Sequence, residues 1–289
     1  MVMRHLIRLE ARAPFDAAWP LAFLRRRVVP GIEEAIDGGY RRSLALPHAA
    51  GVVDLTARDN HVQAAFTLDD PRDLDAAIDA CRRLLDVDRD PAPIVAHLGA
   101  DPVIGELVSS TPGRRVPGHP DGCELAVRAV LGQQVSVSAQ TKLVTRVVGE
   151  LGTPLRHAVG QVTHLFPPAA AIAGLNPETL PMPRSRGRTL VAMAAELAAG
   201  RLVLDDAVDR AHAQATLLAV PGIGPWTAGY IAMRALRDPD AFIPGDAGVR
   251  HGLVRLGCDP SPREVARVSE PWRPYRAYAV QHLWAVASA

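Results

Sequence analysis

Lysine is almost missing from this chain: Lys142 is the only one among 32 basic residues. Arginine carries the positive charge instead, together with abundant alanine, which reflects a GC-rich coding sequence and no particular function. Cysteine is scarce. Cys81, Cys123 and Cys258 are widely separated and odd in number, so no spacing suits a zinc site or an iron–sulfur cluster. They are expected to be buried thiols in a reducing compartment. No apolar run is long enough to cross a bilayer. The first fourteen residues interleave Arg4, Arg8, Glu10 and Arg12 with apolar positions and lack the apolar stretch of a signal peptide. A cytoplasmic bacterial protein is expected. Net charge is also small, +1 overall, −2 over residues 1–92 and +3 over residues 93–289. Any polyanionic partner must therefore be held by local placement and backbone amides rather than by a broad basic face.

What is present is a globular composition, 48% hydrophobic and 22% charged, in a length that fits two domains of ordinary size. Residues 5–12 have the character of a strand, and 17–27 that of a short helix. Residues 40–46, 51–57 and 61–67 alternate with a period of two, as strands do. In residues 70–87 the apolar positions Leu74, Ala77, Ile78, Cys81, Leu84 and Leu85 form a helical stripe, entered through Asp70 and Pro71. Residues 1–92 therefore predict a small α+β domain, mostly antiparallel sheet, with the acidic stretch 86–93 as its exit. From 93 to 289 the signals are almost all helical: 94–97, 102–109, 123–131, 137–151, 167–174, 176–180, 184–199, 206–218, 227–236, 247–256, 262–269 and 275–287. A Pro- and Gly-rich loop is expected at 111–122.

The most informative stretch is Leu218-Ala-Val-Pro-Gly-Ile-Gly-Pro-Trp-Thr-Ala228. An apolar helix end runs into Pro221-Gly222-Ile223-Gly224, and a new helix follows. The glycines permit positive φ and leave no Cβ to block close approach. Amides of the turn, including Gly222, Ile223, Gly224 and Thr227, then face outward at a helix N-terminus, where a phosphate binds. The bland alternative is a tight helix–helix turn. No strand precedes it and no Gly-Lys-Ser/Thr follows, which argues against dinucleotide- and triphosphate-binding loops.

Twenty-two residues after Gly224 comes Asp246, within a loop at 242–248 and just ahead of a predicted helix. It suits an N-cap. The same placement suits chemistry, because a helix N-terminus stabilises negative charge and glycosidic bond cleavage places positive, oxocarbenium-like charge on the sugar. Opposite charges about 4 Å apart at an effective dielectric near 20 are worth roughly 4 kcal/mol, about a thousandfold in rate.

Six of the eight Trp and Tyr residues fall in the last 64 positions. Trp226 and Tyr230 are four apart and share a helix face; Trp272, Tyr275, Tyr278 and Trp284 follow. Some such residues fill cores, and others could wall a pocket that stacks on an extruded base. Gln133 and Gln134, at the break between two helices, are either a solvated turn or a pocket edge with a probe that fills the gap behind a flipped base.

At these residues the chain resembles the helix-hairpin-helix DNA glycosylase superfamily, and within it the AlkA-type DNA-3-methyladenine glycosylase II family. The likeness extends over essentially the whole chain and is most specific at 218–256, with support at 127–143 and 271–284. It implies an N-terminal sheet domain resembling half of a TATA-binding protein (1–92) and an all-helical glycosylase core (93–289). By position, Asp246 corresponds to the family's catalytic aspartate. Trp226, Tyr230 and Trp284, with Gln133, correspond to the base pocket, and Gly222 and Gly224 to the phosphate-binding hairpin. A monovalent cation, Na or K, on the carbonyls of Leu218, Val220 and Ile223 is implied as well. Gln134 stands where a leucine wedge is found in the family. Trp226 stands where bifunctional relatives carry a Schiff-base lysine, so no β-lyase activity is expected; no organic cofactor, zinc or iron–sulfur cluster is expected either.

The resulting expectation is a monomeric, nucleoid-associated, monofunctional glycosylase of base excision repair. It would flip 3-methyladenine or 7-methylguanine out of duplex DNA and hydrolyse the N-glycosidic bond. The alternatives are a non-catalytic damaged-DNA-binding module, or a glycosylase for deaminated or oxidised bases.

Overall fold

The computed structural model describes residues 3–205 and 207–288. Five antiparallel strands open the chain: β1 (Met3–Glu10), β2 (Glu33–Ile36), β3 (Gly39–Ala45), β4 (Ala50–Ala57) and β5 (His61–Leu68). In the sheet they lie in the order β1-β5-β4-β3-β2. The alternation in β5 decides which face is covered, since Val62, Ala64, Phe66 and Leu68 all point inward and are buried. Two helices belong to this part, α1 (Ala18–Arg25) and α2 (Leu74–Leu85). Helix α2 buries Ala77, Ala80, Cys81, Leu84 and Leu85, most of the stripe read from the sequence. Asp70 caps the 3-10 turn that leads into it by accepting from the Arg72 amide, which satisfies a donor with no helical partner.

The remainder is helical: α3 (Ala92–Leu98), α4 (Gly105–Ser110), α5 (Gly122–Leu131), α6 (Val137–Leu151), α7 (Ala169–Ala173), α8 (Arg184–Ala198), α9 (Arg210–Ala219), α10 (Pro225–Arg234), α11 (Ala247–Arg255), α12 (Pro262–Ser269) and α13 (Arg276–Ser288). Among the described residues no helix is long and apolar enough to cross a membrane. The predicted helix at 206–218 begins instead at Arg210, where Asp209 caps the Ala211 and His212 amides; Asp206 lies outside the described residues.

Two features depart from the sequence reading. Strand β2 was not expected, because Glu33 and Glu34 hide the alternation in a four-residue element. The helical part also contains a two-stranded sheet, β6 (Thr153–Val159) with β7 (Val162–Leu165). Most of β6 is exposed, so it shows no apolar alternation, and its place is set from outside. The Gly31 carbonyl accepts the amides of Thr163 and His164, and a Cβ on Gly160 (φ +59°) would stand 2.1 Å from Arg41 Nη1.

The two halves are joined by buried charge. Glu33 on β2 accepts from Tyr40 Oη (2.7 Å), the Val29 amide (2.8 Å) and Arg128 Nη1 (2.7 Å). Glu124 on α5 accepts from Arg42 Nη2 (2.7 Å) and Arg128 Nη1 (2.9 Å). Burial alone would raise both carboxyl pKa values; the two guanidiniums outweigh it and hold both below the usual range, Glu124 well below. The donor atoms of Glu33, His119 and Glu124 lie within 4.8 Å of one another, but Arg42 and Arg128 already supply the cations that such a cluster requires. The exit at 86–93 is likewise no solvated linker. Asp86 adopts a left-handed φ of 54° at the end of α2. Its buried carboxylate accepts from Tyr278 Oη at 2.6 Å and Arg237 Nη2 at 3.2 Å.

Candidate active site

Asp246 is the N-cap of α11, with Oδ1 accepting from the Val249 amide at 3.0 Å. Trp284 Nε1 on α13 donates to the same oxygen at 2.8 Å, and Trp226 Nε1 on α10 donates to Oδ2 at 3.1 Å. A carboxylate has about four lone-pair positions; three are filled, and the one left over is on Oδ2. The group is thereby fixed in place by donors from three helices. Gly248 permits this arrangement: a Cβ there would stand 2.6 Å from Trp284 Cδ1 and 3.0 Å from Asp246 Oδ1.

Asp246 faces a cavity of about 790 Å³. The aromatic rings that wall it run in series. Trp226 stacks on Tyr230 (centroids 5.4 Å apart, 7° between planes), Tyr230 meets Trp284 at 6.4 Å, and Trp284 stacks on Phe23 at 5.7 Å. The other late aromatics serve elsewhere: Trp272 is fully buried beside Phe242, Tyr275 packs on His97, and Tyr278 holds Asp86. The sequence reading missed the fourth wall, which comes from α1 and the turn after it: Trp19, Phe23, Arg26 and Arg27 line the cavity. The i, i+4 pair Trp19 and Phe23 was the available signal, assigned to a supporting domain. Arg234 Nη1 donates to Tyr230 Oη at 2.8 Å. Burial pushes the Tyr230 phenol up, but Arg234 and Arg27 together bring it below its ordinary value.

The turn between α9 and α10 borders this cavity. Gly222 has φ +89°, and a Cβ on it would lie 2.0 Å from Thr189 Oγ1; it is demanded by the fold. Gly224 caps α10 at φ −96°, and a Cβ there would meet nothing within 4 Å. Its smallness serves no neighbour inside the protein, as expected of a surface that admits a phosphate. Gly224→Ala is therefore expected to leave the melting temperature within about 2 °C while weakening duplex binding several-fold. Gly222→Ala should lower both by forcing strain; fluorescence anisotropy and thermal melts on the two variants separate these outcomes.

One expectation around the turn needs correcting, that of an outward-facing Ile223 amide. The Thr227 side chain is buried, and its hydroxyl accepts from Gln133 Nε2 at 3.0 Å, so contact with a ligand falls to its amide. The Ile223 side chain is buried too, and its amide is spent on the Val220 carbonyl at 3.1 Å. Gln133 lines the cavity, but its Nε2 also donates to the Gly222 carbonyl at 3.0 Å, so it braces the turn. Gln134 is exposed at φ 55°, a conformation few non-glycine residues hold, which projects it from the loop between α5 and α6. For a monovalent cation, Leu218 lies in the last turn of α9, where carbonyls lack helical partners. The Val220 carbonyl, which accepts from the Ile223 amide, keeps a second lone pair.

Against known proteins, residues 6–121 match the AlkA N-terminal domain family. The chain is 32% identical over 283 residues to DNA-3-methyladenine glycosylase 2 of Escherichia coli, covering 96% of this chain and 95% of that protein. The chain belongs to the AlkA family. It is also 47% identical over 278 residues to a Mycobacterium tuberculosis protein named probable bifunctional transcriptional activator/DNA repair enzyme AlkA, covering 96% of this chain and 56% of that one. The chain thus spans about half the length of its mycobacterial relative. The solved structure of a 3-methyladenine DNA-glycosylase from Archaeoglobus fulgidus superposes with a TM-score of 0.81 at 21% identity, over 97% of each chain; at that identity the AlkA-family fold is what the two share.

Proposed function

We propose that this chain is a monofunctional DNA glycosylase of base excision repair. It flips alkylated purines such as 3-methyladenine and 7-methylguanine out of duplex DNA and hydrolyses the N-glycosidic bond to leave an abasic site. The observation that carries the reading is Asp246, a carboxylate fixed by three N–H donors at the mouth of an aromatic cavity. The E. coli relative's name, DNA-3-methyladenine glycosylase 2, agrees with it.

In this reading the hairpin at 218–228 holds the backbone through the Gly224 side of the turn, and Gln134 enters the gap left by the extruded nucleotide. The sugar lies next to Asp246. As the bond to the base lengthens, its electron pair leaves with the base, and the positive charge on the sugar develops opposite the carboxylate. Bases already carrying a positive charge leave as neutral molecules and need little acid assistance. Lys142 is exposed on α6 and outside the cavity lining, so strand cleavage through a Schiff base is not part of the reading. Nor is any organic cofactor; a Na⁺ or K⁺ ion on the carbonyls of Leu218, Val220 and Ile223 would add rigidity to the hairpin. We place the protein in the bacterial cytoplasm, on the nucleoid, as a monomer, with residues 1–92 as a sheet domain and 93–289 as the glycosylase core.

The test is single-turnover incubation with dimethyl-sulfate-treated duplex DNA. Methylpurines should be released, and nicks should appear only after alkali. Tight duplex binding with no base release would overturn the enzyme reading, and nicks without alkali would overturn the monofunctional one.

A further inference from the structure

Arg27 is the unusual residue of this cavity. Arg26 beside it is exposed and lies 5.7 Å from the centroid of Trp19, and the other arginine over the Phe23 ring is committed. Arg234 spends Nε on the Pro117 carbonyl, Nη2 on Gly118 and Nη1 on Tyr230. Arg27 is half-buried, lines the cavity and lies over the Phe23 ring with its guanidinium 3.8 Å from the centroid. Its side chain makes one hydrogen bond, from Nη1 to the Phe23 carbonyl at 3.2 Å, out of five N–H groups available. Among the described residues no carboxylate pairs with it. Burial lowers its pKa to about 10, with Arg234 adding to the effect, so it stays charged at neutral pH.

The cavity is thus electrically two-ended. Asp246 holds the edge of Trp284, the face of Trp284 stacks on Phe23, and Arg27 covers Phe23. Negative charge is fixed at the end proposed for the sugar and positive charge at an end open to the base.

We propose that Arg27 is a specificity-determining residue that sets the charge preference of the pocket. It supports departure of neutral purines as anions and opposes the binding of cationic ones. The inference rests on the glycosylase reading above. When a neutral purine leaves, the N9–C1′ bond breaks with its electron pair on the base. The base becomes an anion as the sugar becomes a cation, a separation that matches the two ends of the cavity. Water oxygen then bonds to C1′; one of its protons ends on the base, and the other remains on the new hydroxyl. When a cationic alkylpurine leaves, the base passes from positive to neutral. The charge on the base falls by the same amount, so Arg27 eases this departure from the bound state too, but it repels the cation before the reaction starts and so weakens its binding.

The experiment uses the full chain, Arg27→Met and Arg27→Lys, and two duplexes, one with a single hypoxanthine and one with a single 7-methylguanine. Single-turnover rate constants and half-saturating enzyme concentrations are measured for each. Methionine keeps the apolar stem over Phe23 and removes the charge; lysine restores the charge without the planar fork. Arg27→Met should shift the ratio of hypoxanthine to 7-methylguanine specificity, each taken as the rate constant divided by the half-saturating concentration, by at least about tenfold toward 7-methylguanine, and should lower the half-saturating concentration for the cation. Arg27→Lys should recover a substantial part of the shift. Equal changes in that quotient on both substrates, or none, would overturn the role of Arg27, and so would a lysine variant indistinguishable from methionine. A wild-type protein that releases neither base would overturn the glycosylase reading, and the inference with it.

Discussion

Asp246→Asn should lower the single-turnover rate of methylpurine release by about a thousandfold or more, with duplex affinity changed less than about threefold. The substitution keeps size and the N-cap: Oδ1 of asparagine can still accept from the Val249 amide and Trp284 Nε1. It removes the negative charge and turns the second oxygen into an NH₂ group facing Trp226 Nε1, now donor against donor. The rate loss follows from the charge, at roughly 4 kcal/mol for a pair about 4 Å apart at an effective dielectric near 20. The orientation cost adds to it, because the indoles aimed at the carboxylate become misdirected. The check is single-turnover base release alongside anisotropy binding. Turnover within tenfold of wild type would remove Asp246 from the centre of the mechanism. Loss of binding in parallel with turnover would instead indicate that the substitution disturbs the cleft.

The second large effect concerns acid. His282 on α13 is buried, with Nδ1 3.4 Å from Thr111 Oγ1. Burial, reinforced by Arg114, depresses its pKa from 6.5 to about 3. Burial lowers that of His119 as well, against the attraction of Glu124. The sign is set by which state binds the proton. Below pH 6.5 the unfolded chain binds protons at these imidazoles more readily than the folded one, so stability is full above that pH and drains as pH falls. For His282 the loss by pH 3 amounts to roughly 4–5 kcal/mol, a large share of the stability of an ordinary domain. For His282 alone the slope approaches about 1.4 kcal/mol per pH unit near pH 5, and His119 adds to it in the same direction. Below the ordinary carboxylate range, Glu33 and Glu124 act in the same direction. Asp86, whose pKa burial raises, opposes them over part of the range. Urea midpoints between pH 7 and 4 should show this decline, and His282→Phe should flatten it by about 1.4 kcal/mol per pH unit near pH 5. An unchanged slope in that variant would exclude His282 as the source.

The hairpin, the aspartate and most of the helices were legible in the sequence, because each depends on local chemistry. The stripe Ala77, Cys81, Leu84 predicts helix α2 through its own spacing. Pro221-Gly222-Ile223-Gly224 predicts a turn because Gly222 needs positive φ, and Asp246 predicts an N-cap because its oxygen reaches an amide three residues on. None of these needs a distant partner to be recognised. Strand β2 and the β6–β7 hairpin were hidden for the converse reason: their pairing energy lies in contacts with Gly31, Arg41 and Glu34 across the fold, and their own residues carry little apolar pattern. Sorting the late aromatics also required tertiary structure. Trp226, Trp272, Tyr278 and Trp284 are similar in sequence context, yet two indoles grip Asp246, one fills the core and the phenol holds a buried carboxylate. Least legible was the contribution of Phe23 and Arg27, some two hundred residues from Trp226. The buried Glu33–Arg128–Glu124 bridge, with Arg128 also donating to the Arg27 carbonyl at 2.8 Å, and the stacking of Phe23 on Trp284 bring α1 against the cleft. Sequence alone determined which residues could do chemistry here; packing across the two halves decided which of them meet, because side-chain charge and ring contact act over a few ångströms in space whatever their separation along the chain.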